Sequence, residues 1–181
     1  MGKSLGVFPS SHMDPRIEQQ FLAAYDSYQD AIYRHCYFRL LHKERAEEFT
    51  QETFMKTWQY LQQGKEVDNL RPFLYRVANN LIIDYIRRKK EISLDAILED
   101  QPHKEPENTD HLQMTRQIQL HEIERGLEQL PTDQRDLVVM RYIDDMDPKD
   151  IAELLGITSS HVSVRLNRAM KSLRELLDTP H

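Results

Sequence analysis

Apolar residues recur at helical spacing along most of the chain. Phe21, Tyr25, Tyr28, Ile32 and Cys36 follow one another at intervals of 4, 3, 4 and 4 residues, a single stripe on a helix predicted over 15–41. Phe54, Trp58 and Leu61 extend the pattern onto a second helix over 43–63, which Gly64 is placed to end. Leu70, Leu74, Val77, Leu81 and Tyr85 mark a third helix over 70–90. Pro72 is tolerated in its first turn, where the missing N–H would have no partner anyway. Leu120, Ile123, Leu127 and Leu130 begin a new helical stretch, Pro131 breaks it, and another helix follows over 132–142.

The polar intervals divide these helices into two sets. Residues 92–115 hold Pro102, Pro106 and Asn108 with six acids against one cation, the composition of a flexible acidic linker. Residues 1–13 read as a disordered tail or a tag remnant around Ser11-His12-Met13. The expected fold is all-α, with one small helical domain over 14–91 and a second over 116–178.

The second domain ends in a pattern with a mechanism. Asp147 is placed to cap a short helix with Pro148 at its first position, and that helix ends near Leu155. Gly156 supplies a residue at ease with positive φ, and Thr158 can cap the next helix. There Val162, Leu166, Ala169, Leu173 and Leu176 form a buried stripe, while Ser160, His161, Ser163, Val164, Asn167 and Arg168 share the opposite face. A short capped helix, a glycine turn and a longer cationic helix make a helix-turn-helix. Asn167 and Arg168 suit base edges, whereas Arg165, Lys171 and Arg174 suit phosphates.

Composition narrows the alternatives. Five glycines do not make a turn-rich β protein, and one cysteine, Cys36, forms no internal disulfide and suits a reducing compartment. No apolar run approaches the ~18 residues a membrane span needs, so a cytoplasmic protein is expected. The net charge of −6 conceals two cationic stretches: residues 84–90, with four cations against one acid, and residues 158–174, which contain no acid. Motifs for nucleotide, zinc or redox chemistry are absent from the sequence, so no enzyme, metal site or cofactor is expected. His35 and Cys36, adjacent on a helix, face different ways, which argues against a metal shared with His42. The pair Asp144-Asp145 reads as a solvated turn.

Three segments carry a family resemblance. Ala46-Glu-Glu-Phe-Thr-Gln-Glu-Thr-Phe-Met-Lys-Thr-Trp58 resembles region 2.2 of the bacterial extracytoplasmic-function sigma factors, and Phe73 to Arg88 resembles regions 2.3 and 2.4. Leu130-Pro-Thr-Asp-Gln-Arg-Asp-Leu-Val-Val-Met-Arg-Tyr142 with the helix-turn-helix resembles region 4. The resemblance implies a protein that binds core RNA polymerase and directs initiation at promoters with −10 and −35 elements. An anti-sigma factor or other regulatory protein is a further implied partner. On this reading Glu48, Gln51, Glu52 and Phe54 face the polymerase, with Trp58 assigned to the core. Asn79, Asn80, Asp84, Arg87 and Arg88 meet the −10 element, Asn80 holding an unstacked base beside the loop 62–69. Ser160, His161, Ser163, Val164, Arg165, Asn167, Arg168 and Lys171 meet the −35 element. Ser163 stands where many members carry Lys or Arg, Val164 where many carry Ser, and Arg45 where Asp is usual. The competing reading is a stand-alone helix-turn-helix regulator with an N-terminal sensing or dimerisation domain.

Overall fold

The computed structural model describes residues 15–93 and 111–177. The tail over 1–13 and most of the acidic linker lie outside them. The described residues form seven α-helices: α1 (Pro15–Leu40), α2 (Lys43–Gln62), α3 (Leu70–Ser93), α4 (His111–Gln129), α5 (Thr132–Val138), α6 (Pro148–Leu155) and α7 (Ser159–Leu177). Helical structure therefore extends into both ends of the stretch assigned to the linker, at 92–93 and 111–115. The single helix predicted over 132–142 is instead α5 followed by a π-helical segment, Val139–Ile143.

In the first unit, α1, α2 and α3 pack side by side around Ile32, Cys36, Ala46, Phe49, Phe54, Leu74, Ala78 and Ile82. One end of it is aromatic, with Phe21 4.8 Å from Trp58 and Tyr25 4.8 Å from Phe54 between ring centroids. On α3 the buried line runs Leu70, Leu74, Ala78, Ile82, and the predicted Val77, Leu81 and Tyr85 lie half-buried on its flank. Two neighbouring helices widen the apolar face of α3, so its centre falls between the two apolar rows.

In the second unit α5 and α6 pack on α7, whose Val162, Leu166 and Ala169 are buried as the spacing required. The turn between α6 and α7 forms as expected: Gly156 adopts φ +66°, and the Thr158 hydroxyl accepts a hydrogen bond from the His161 N–H at 3.3 Å. A Cβ at Gly156 would meet nothing within 4 Å, so glycine is needed for the backbone and not for space. Asp147 sits at the N-cap of α6 in extended conformation, but its side chain makes no capping hydrogen bond.

The two units share a boundary. α1 packs on α5 and on the π-helical segment, and Phe38 joins Leu127, Leu130, Val138, Val139 and Ala169 in one apolar cluster. Beside this cluster lies a buried polar set. Arg39 grips Asp136 through two hydrogen bonds of 2.9 and 2.7 Å, and donates from Nη1 to Asn79 Oδ1 at 2.8 Å and to His35 Nε2 at 3.2 Å. His35 Nδ1 donates to Asp144 Oδ2 at 2.6 Å. The Arg71 guanidinium donates to the carbonyl of Asp144 at 3.1 Å. The expectation of a solvated Asp144-Asp145 turn is therefore half wrong: Asp145 is exposed, but Asp144 is only 5% exposed. A buried carboxylate needs donors, and the ones that satisfy Asp144 come from a helix more than a hundred residues earlier.

Candidate polymerase and nucleic-acid interfaces

Three helix faces remain open to partners. On α2 the exposed row runs Glu44, Glu48, Gln51, Met55 at intervals of 4, 3 and 4. Arg45 pairs with Glu48 at 2.7 Å while its guanidinium lies 5.4 Å from the centre of the Tyr85 ring, and Lys56 pairs with Glu52 at 3.2 Å. Phe54 does not belong to this face. It is 4% exposed and packed between Phe21 and Tyr25, because the α2 core row needs a large apolar group between Phe49 and Leu61. Met55, 53% exposed, is the apolar residue that does face outward, and the sequence held the signal: it falls off the Phe49–Phe54–Leu61 stripe.

On α3 the exposed row is Arg76, Asn80, Ile83, Arg87, Lys90, at intervals of 4, 3, 4 and 3. Asp84 sits half-buried beside it, 3.0 Å from Arg87, and Arg88 is exposed on its flank. Such a solvent-accessible ion pair contributes little stability by itself. Asn79 is not on this face. It is 2% exposed with its carbonyl oxygen committed to Arg39, since adjacent residues on a helix point ~100° apart and only one can share the row. Arg76 and Ile83 went unnoticed in the sequence, although both sit at helical spacing from Asn80. In the neighbouring loop, the Lys65 ammonium lies 4.7 Å from the Tyr60 ring centre, and Tyr60 packs on Phe73.

On α7 the residues Ser160, His161, Ser163, Val164, Arg165, Asn167, Arg168 and Lys171 are all exposed. Ser163 spends its hydroxyl on the Ser159 carbonyl at 3.0 Å. Lys171 lies 3.8 Å from Glu175, an exposed pair one turn on. The π-helical segment beneath positions the buried Val139 and Met140.

Electrostatics separate the buried set from these faces. Burial pushes the His35 imidazole below its usual range, opposed by its hydrogen bond to Asp144. Burial likewise raises the Cys36 thiol to about 12, so that it stays protonated, and Tyr75 to about 12 with help from Asp144. Among the described residues, no group of three or more His, Cys, Asp or Glu could hold a metal ion.

The folded units correspond to a known pair of domains. Residues 24–92 match the family Sigma-70 region 2, and residues 120–173 match Sigma-70, region 4. The ECF RNA polymerase sigma factor SigW of Bacillus subtilis is 30% identical over 176 residues, covering 88% of this chain and 90% of its own. SigM of the same organism is 26% identical over 155 residues, covering 84% and 91%. The fold is shared with the sigma factor RpoE of Bartonella quintana, solved in complex with the anti-sigma factor NepR (TM-score 0.69, 21% identity, 90% of this chain and 99% of that one). This chain belongs to the ECF family of RNA polymerase sigma factors. Its role is to direct promoter recognition by RNA polymerase; it is not an enzyme, and the stand-alone regulator is not favoured.

Proposed function

We propose that the three exposed faces divide the work of initiation. The α2 row offers carboxylates around Met55, a fit for a cationic helix of core polymerase with one apolar anchor. The α3 row holds Asn80 between cations and beside Ile83, which suits a separated −10 strand: phosphates for Arg76, Arg87 and Lys90, an amide for the edge of one base. The α7 row suits the major groove of a −35 element, with Arg168 and Asn167 against bases and Arg165 and Lys171 against phosphates.

The observation that carries this reading is the placement of Asn80. It is the exposed amide in the middle of a cationic row, while its neighbour Asn79 is withdrawn into the core. Asn80→Ala should lower the yield of strand-separated complexes with core polymerase while leaving duplex docking intact. Equal loss of both would refute the assignment.

RpoE, whose fold this chain shares, was solved with the anti-sigma factor NepR. By analogy, an anti-sigma protein is the partner expected to restrain this chain. A cytoplasmic location follows from work on polymerase and DNA, and no described helix is long and apolar enough to cross a membrane.

A further inference from the structure

The buried line of α3, Leu74, Ala78 and Ile82, continues at intervals of 4 and 3 into Ile86 and Lys89. There the core face of the helix opens into a cleft of about 410 Å³, walled by the ends of α1 and α3 and the start of α5. At 3.6 residues per turn Lys89 points about 180° away from Asn80, so the cleft and the row through Asn80 use different sides of α3. Leu40, Ile86 and the Tyr85 ring give the cleft an apolar wall. The charged groups that line it are all cations, Arg39, Lys89, Lys90 and Arg135.

Arg39 is already neutralised by Asp136 at 2.7 Å. Arg135 is not paired in this way. Its guanidinium donates to the carbonyls of Leu127, Glu128 and Leu130 and, at 3.3 Å, of Arg39, which satisfies its N–H groups without cancelling its charge. Burial depresses its pKa, against the pull of Asp136 and Glu128, so an anion beside it would relieve a charge that is poorly solvated. Lys89 and Lys90 are exposed, and neither pairs with a carboxylate among the described residues. A concave site of this volume takes a small molecule, and its lining asks for one with an anionic end and an apolar, flat end. We propose that the cleft binds a nucleoside polyphosphate, with the phosphates on Lys89, Lys90 and Arg135 and the base against Leu40, Ile86 and Tyr85. The bound molecule touches α3 and α5, and so both units, at once. A nucleic-acid strand is better served by the exposed row through Asn80.

The test is titration calorimetry on the full chain in magnesium-free buffer at ~0.15 M salt, with ATP, inorganic tripolyphosphate and adenosine as probes. ATP should bind at a single site with Kd below ~1 mM; tripolyphosphate should bind at least ~10-fold more weakly, and adenosine not measurably. Lys89→Gln with Lys90→Gln should weaken ATP at least ~10-fold. Arg125→Gln with Lys149→Gln removes two exposed cations elsewhere and should leave ATP binding unchanged. Thr132→Trp fills the cleft from the α5 side at an exposed position, and should abolish binding without shifting the melting temperature. No saturable ATP binding, equal loss in the two double variants, or full binding by Thr132→Trp overturns the site. Tripolyphosphate as tight as ATP overturns the nucleoside part of the assignment. Displacement of ATP by a promoter duplex at the same salt gives the cleft to DNA and also overturns the proposal.

Discussion

His35 Nδ1 lies 2.6 Å from Asp144 Oδ2, joining α1 of the first unit to the loop that leads into the helix-turn-helix of the second. Because Nε2 of the same ring accepts from Arg39, the ring proton sits on Nδ1 and the imidazole is neutral. Desolvation pushes this histidine below its ordinary range, so the unfolded chain takes up a proton that the folded chain refuses. Stability contributed here is present above the unfolded value of ~6.5 and falls as pH drops below it, by at most ~1.4 kcal/mol per pH unit. Thermal unfolding from pH 5 to 8 should show this slope in the wild-type chain and a shallower one in His35→Gln.

The two adjacent asparagines should separate stability from function. Asn79→Ala leaves the buried Arg39 guanidinium short of an acceptor and should cost about 1–3 kcal/mol in denaturant unfolding. Asn80→Ala should leave the midpoint within about 0.5 kcal/mol of wild type. A reversed order would mean that the two side chains have exchanged roles.

Phe54 and Met55 make the same kind of pair on α2. Phe54→Ala removes a ring packed against Phe21 and Tyr25 and should destabilise by about 3–5 kcal/mol. Met55→Asp should barely change the melting temperature yet reduce co-elution with core polymerase.

On α7, Arg168→Ala should broaden the range of −35 sequences used, by about 1–3 kcal/mol of lost discrimination. Lys171→Ala should weaken all sequences alike and reduce the salt slope of binding by about one unit. Both are read from promoter-library selections with the holoenzyme at several salt concentrations.

Helices and their order were legible because apolar spacing reports the helical period directly. The α6–α7 turn was legible because Asp147, Pro148, Gly156 and Thr158 each have a local backbone reason to be there. Only Asp147 fell short, occupying the cap position without using its carboxylate. Contacts between distant segments were not legible. Nothing near Asp144 in the sequence announces a buried carboxylate, and nothing near Asn79 marks it as the acceptor for Arg39. The π-helical segment was missed for a related reason: one extra residue per turn in an apolar stretch leaves no mark on spacing over so few positions. Phe54 was taken in place of its neighbour Met55, and Asn79 was grouped with Asn80, although a helix points adjacent residues in different directions.

Helix α1 belongs to both units at once: Ile32 and Cys36 fill the core shared with α2 and α3, whereas His35, Phe38 and Arg39 bind the second unit. Domain exchange between relatives is therefore not free. A chimaera that keeps this first unit and borrows a helix-turn-helix without carboxylates at positions 136 and 144 would strand a buried arginine and histidine. The two promoter specificities can be recombined only if these matched polar partners travel with them.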